Sequence, residues 1–159
     1  GLRPGNSHYQ EALQIEVMTM QGPTNRNLQH CREVIRACLN IVEERGDTYV
    51  AIHRDADIEC VIIVSMIRTQ PILSVIVADK ILFAAGNEQD MYRTANELNS
   101  ESLTGWHSLV LTDNSIIYMY RQCLWTTASL DPDSLTEVLC DCITEYKYGR
   151  EHLVQRNLT

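Results

Sequence analysis

Residues 48–83, "TYVAIHRDADIECVIIVSMIRTQPILSVIVADKILF", are dense in β-branched side chains, and their punctuation decides the fold. Thr48 to Arg54 and Ile58 to Ile67 read as two strands, with Asp55-Ala56-Asp57 as turn material between them. Pro71 interrupts the pattern before "ILSVIVA", a third β-rich run that extends less clearly from Ile81 to Phe83. Three consecutive strands imply an antiparallel meander.

N-terminal to this run, Leu28, Cys31, Val34, Ile35, Cys38, Leu39 and Val42 recur at helical spacing, and Gly46 stands where a left-handed C-terminal residue belongs. One helix is therefore expected from about residue 27 to the glycine. Residues 1–25, with Pro4, Gly5, Gly22 and Pro23, are expected to form an arm of unassigned docking. Gly1 in place of an initiator Met is read as a trace of processing, which could have removed a targeting signal.

On the C-terminal side, Asn87 with Glu88, Gln89 and Asp90 looks like a helix start, with Met91, Ala95, Leu98 and Ser102 on one face and Gly105 closing the element. "WHSLVLTDNSIIYMYRQCLWTTAS" then splits around Asp113-Asn114 into a second hairpin. Asp131-Pro132 caps a last helix, whose buried stripe is Leu135, Val138, Leu139, Cys142, Ile143 and Tyr146. The expected order is α-β-β-β-α-β-β-α: an α+β fold with an antiparallel sheet of about five strands and helices packed on it.

Composition excludes several functions. A chain of 159 residues falls within the roughly 100–200 residues of one domain. A net charge of −8 without a basic stripe argues against a nucleic-acid partner, which demands clustered cations. The apolar runs are broken by Arg, Gln, Pro, Asp and Lys, well short of the roughly 20 residues of a membrane span.

No catalytic signature is present: G-x-G-x-x-G, the phosphate-binding G-x-x-x-x-G-K-[ST] and G-x-S-x-G are all missing. The six cysteines form no C-x-x-C pair and mostly sit in apolar periodic segments, as reduced core thiols of a cytoplasmic protein would. Cys140 and Cys142, two apart on a helix, point about 200° away from each other and cannot chelate one ion. No metal and no cofactor is expected. A Cys–His dyad from residues distant in sequence stays open as a thiol-enzyme alternative.

Two further features point to recognition. Asn96 and Asn99 sit near the end of the second helix, where short amides can bond neighbouring backbone and orient the turn into Trp106, or contact a partner. "SIIYMYRQCLW" carries large side chains at both alternations, so its strand needs a helix layer on one face and another cover on the other. A second copy, a bound peptide or the N-terminal arm could supply that cover. Trp106, Tyr118, Tyr120 and Trp125 are the candidate contact anchors.

This order, with "TANELNSE" before a glycine and a hairpin and "SLDPDSLTEVLCDCITEY" as closing helix, resembles the YbjN-like family of bacterial sensory-transduction regulators. That family is similar in fold to the class I type III secretion chaperones. The resemblance covers residues 27–153 and implies one domain over 26–154 with a tail at 155–159. It also implies a non-enzymatic, chaperone-like or regulatory module that pairs as a homodimer and binds a polypeptide. The alternative is a small-ligand sensor or thiol enzyme with a pocket beside the sheet.

Overall fold

The computed structural model describes residues 25–67, 69–81, 87–112, 115–126 and 130–157. The expected arm therefore lies outside the described residues up to 24, as do Phe83 and the Asp113-Asn114 turn. Helix α1 spans Asn25–Cys38, followed by strands β1 (Ile41–Arg45), β2 (Thr48–Arg54), β3 (Glu59–Ile67) and β4 (Ile72–Ile81). Helix α2 (Glu88–Glu101), strands β5 (Trp106–Leu111) and β6 (Ile116–Trp125) and helix α3 (Pro132–Asn157) complete the order. It is an α+β fold with one antiparallel sheet.

The sheet has six strands rather than about five, arranged β1-β2-β3-β4-β6-β5. The extra strand comes from the stretch read as the end of the first helix. Ile41 and Val42 continue the helical period, but they also suit an extended chain, and β1 pairs antiparallel with β2 from Ile41 opposite Ala51 to Arg45 opposite Thr48. Gly46 has φ of 57° at the first position of the two-residue turn, where a II′ hairpin needs a positive value. It is a hairpin glycine, not a helix C-cap. Val42 falls at the register shift of this ladder and is left 59% exposed, so its apolar side chain does not join the core.

The remaining turns follow the local chemistry. The Asp55 carboxylate accepts the backbone N–H groups of Asp57 (2.8 Å) and Ile58 (3.0 Å), which closes β2 onto β3. Asp131 accepts the N–H of Ser134 at 2.8 Å, so the expected cap of α3 is in place. That helix runs on to Asn157 and absorbs the first residues of the expected tail. α2 ends at Glu101, where the Ser102 N–H returns to Leu98 and Asn99. Gly105 therefore opens β5 rather than closing the helix.

All three helices cover one face of the sheet. Burial alternates strictly along β3 and most of β6: Cys60, Ile62, Val64 and Met66, and then Ile116, Tyr118, Tyr120 and Gln122, point under the helices. Cys31 and Ile35 of α1, Met91 of α2, and Leu135, Cys142 and Tyr146 of α3 meet them in one core. Each such aliphatic side chain contributes roughly 1.5–3 kcal/mol by leaving water.

Four buried side-chain polar atoms lack a hydrogen-bond partner among the described residues, and the Thr126 hydroxyl is one of them, although its backbone N–H bonds Pro71 O at 2.8 Å. Thr126→Val keeps the shape and the backbone bond while removing the stranded hydroxyl. It is expected to raise stability by about 1 kcal/mol in urea unfolding, and a loss would show that the hydroxyl is satisfied in solution.

Candidate functional site

The strand parity that points away from the helices builds a continuous open face. Register places Val50 and Ile52 of β2 beside Ile63 and Val61 of β3, and then Ile76 and Ala78 of β4. Arg121 and Met119 of β6 follow, with Trp106 and Ser108 of β5 at the edge. No helix of the described residues packs here. Ile52, Trp106, Val110 and Trp125 are the more exposed large apolar side chains, from 42% for Trp106 to 67% for Trp125. Six strands about 4.8 Å apart make a surface roughly 24 Å across, comparable to one side of a standard protein interface of about 800 Å².

Trp106 and Trp125 belong to this face, and Tyr118 and Tyr120 do not. The two tyrosines are fully buried beneath the helices, which removes them as surface anchors. Tyr118 stacks on Tyr146 of α3 with ring centroids 5.0 Å apart, and burial pushes its phenol up. Alternation alone could not separate the two sets, because β6 carries large side chains at both parities and one polar residue on each, Arg121 and Gln122. Only the position of α3 decides which parity is inside.

Arg121 was not among the sequence candidates. Its cross-strand partner is Trp106, and its guanidinium carbon lies 5.6 Å from the centre of that ring. Its Nε is buried without an acceptor among the described residues. The other cations of the open face are Arg45, held by Glu43 at 2.5 Å, Arg54, held by Glu59 at 3.0 Å, and Lys80. Arg121 and Lys80 have no ion pair among the described residues.

Asn96 and Asn99 have separate fates. Asn96 lies exposed on α2. Asn99 accepts the His107 N–H at 2.6 Å and donates to the His107 carbonyl at 2.9 Å. Strand β5 is an edge, so these outward backbone groups have no neighbouring strand, and the amide supplies both missing partners. Asn99→Ala is expected to cost about 2 kcal/mol in denaturant unfolding. Asn99→Asp should cost more at neutral pH, since it sets a carboxylate oxygen against the His107 carbonyl; equal stability of all three chains would refute the double bond.

The same corner forms an open cavity of about 360 Å³ between the end of α2, the start of β5 and α3, bordered by Glu101, Thr104, His107, Asp141, Glu145 and Tyr148. His107 is buried, its Nδ1 is 2.6 Å from the Tyr118 hydroxyl, and desolvation lowers its pKa to about 4. Gln122 donates to Asp141 at 2.5 Å and to the Tyr120 hydroxyl at 3.1 Å.

The buried thiols lack the setting of a nucleophile. All six cysteines are unbridged, and burial pushes Cys60 up to about 11 and Cys142 up to about 12, away from thiolate formation at neutral pH. His30 donates to the Leu130 carbonyl, and His53 pairs with Asp55 at 2.8 Å. Among the described residues no three His, Cys, Asp or Glu side chains form a group that could hold a metal ion. No helix among the described residues is long and apolar enough to cross a membrane.

No protein-family model and no curated protein matches the sequence. Among solved structures, the chain is similar to the crystal structure of YbjN from E. coli, provisionally described as a transcription regulator. The TM-score is 0.54 over 81% of this chain and 90% of that one. The chain has a YbjN-like fold. Identity over the superposed residues is 12%, so the likeness concerns the fold, and the YbjN-like sheet is the scaffold on which the open face and the cavity are built.

Proposed function

We propose that this YbjN-like domain is a non-enzymatic interaction module, regulatory or chaperone-like, that binds a polypeptide through the sheet face opposite its helices. The observation that carries the reading is that face itself: Val50, Ile52, Ile63, Ile76, Met119, Trp106 and Trp125 lie on one side of the sheet with no helix of the described residues over them. Contiguous apolar surface of this extent on a water-soluble fold marks an interaction site, and tryptophan is the side chain most often found at its energetic centre.

A second copy of the chain, the homodimer that the resemblance implies, competes for the same face. Light scattering across dilution separates the two. A mass near 18.2 kDa together with peptide binding that Trp125→Ala weakens about tenfold or more supports the proposal. A dimer that survives dilution and dissociates on Trp125→Ala would assign the face to self-association. Because Trp125 is mostly exposed, its truncation should move stability by only about 0.5 kcal/mol, which keeps the readout free of unfolding.

The cavity beside His107 favours a second reading, a small-ligand sensor, since its volume and mix of apolar and polar walls fall in the range of ligand sites. A ligand seated there would protect the Asn99–His107 corner from hydrogen exchange while leaving the open face unchanged.

A further inference from the structure

Resting on the docking role of the open face, we propose that its partner is an apolar polypeptide segment carrying an acidic side chain, and that Arg121 reads that carboxylate. Arg121 lies inside the face, between Ile76 of β4 and Trp106 of β5, with Met119 and Cys123 two residues to either side along β6. The Trp106 ring beneath the guanidinium orients it, and its buried Nε has no acceptor among the described residues.

A segment that covered this face would strip water from the guanidinium. Leaving a desolvated charge uncompensated costs several kcal/mol, so a purely apolar occupant is penalised where the face is otherwise most favourable. A peptide carbonyl could accept a hydrogen bond and would still leave the charge unbalanced. A carboxylate does both, and the planar fork of arginine matches its two oxygens.

The balance of charge on the face points the same way. Among the described residues its carboxylates, Glu43 and Glu59, are already held by Arg45 and Arg54, while Arg121 and Lys80 are unpaired. The face is thus cationic on a chain whose net charge is −8. The described face of a second copy would bring no uncommitted carboxylate to Arg121, whereas an acidic segment of another polypeptide would meet two cations that have no ion pair among the described residues.

The test is selection of random short peptides displayed against the full chain. Enriched peptides are expected to place Asp or Glu among apolar residues. For a synthesised representative, Glu→Gln in the peptide and Arg121→Gln in the protein should each weaken binding by about tenfold or more, with no further loss when both are changed. Arg121→Lys should fall between.

Peptides that lose binding on Trp125→Ala but carry no acid and ignore Arg121→Gln would overturn this inference and leave the docking role intact. If no peptide is enriched, or all bind indifferently to Trp125→Ala, both fall. Should Arg121→Gln fail to fold, the Glu→Gln peptide on the unaltered protein still decides the matter.

Discussion

Replacing Gly149 by alanine should lower the stability of the domain by about 3 kcal/mol, although the same change in an exposed helix raises it by about 1 kcal/mol. Gly149 lies buried in α3, directly over the Tyr118 hydroxyl. A Cβ built there would overlap that oxygen and would stand 3.0 Å from His107 Nδ1. Tyr118 cannot retreat, because its ring is stacked between Tyr146 at 5.0 Å and His107 at 5.9 Å. The added methyl must lift the helix or break the His107–Tyr118 hydrogen bond, and either outcome outweighs the gain in helix propensity.

Thermal unfolding should show a fall on the order of 10 °C for a domain of this size. Removing the obstructing oxygen supplies the control: Gly149→Ala in a Tyr118→Phe background should cost less than in the native chain. A Gly149→Ala protein more stable than the parent would mean that α3 does not approach the sheet this closely.

Acid should act on the same joint. His107 is buried neutral, with its pKa lowered from 6.5 to about 4 by desolvation. Near pH 7 the native state does not bind this proton and only a minor fraction of unfolded chains do, so stability is close to its full value there. Below about 6.5 the unfolded chain takes up a proton that the native state refuses, and stability falls until the pH reaches about 4, then levels off.

The loss between pH 7 and pH 5 is about 2 kcal/mol. Glu101 of α2 and Asp141 and Glu145 of α3 border the same cavity and would oppose the shift, but desolvation is the dominant influence. His107→Gln should be less stable at pH 7 and should lose most of the slope above pH 5. Asp55 does not confuse this window: Lys147 and His53 hold its carboxyl well below the usual range, so its contribution is lost only under more acidic conditions. An unchanged slope in His107→Gln would show that another group titrates.

Both effects depend on contacts between α3 and β6 that periodicity could not reveal. The stripe through Leu135, Cys142 and Tyr146 marks the buried side of α3, and all three are buried, but it does not identify the strand they meet. Gly149 lies one turn beyond Glu145, with no side chain to register in any pattern. Asn99 could be read as a side chain that bonds backbone near the turn to Trp106. That its partner is both polar groups of His107 depends on β5 being an edge strand.

What the sequence determined by itself was local in origin. The β-branched runs of β2, β3 and β4 set the antiparallel character, Asp131-Pro132 set the start of α3, and the 3.6-residue stripes set which side of each helix is apolar. What only the tertiary structure decided was non-local. Residues 41–45 satisfy helical and extended patterns alike and became β1 because β2 offered a ladder. The parity of β6 that is buried, which left Arg121 and Trp125 outside and Tyr118 and Tyr120 inside, was chosen by where α3 docks. A side chain records its own size and polarity; which face of the sheet lacks a cover is a property of the packed layers.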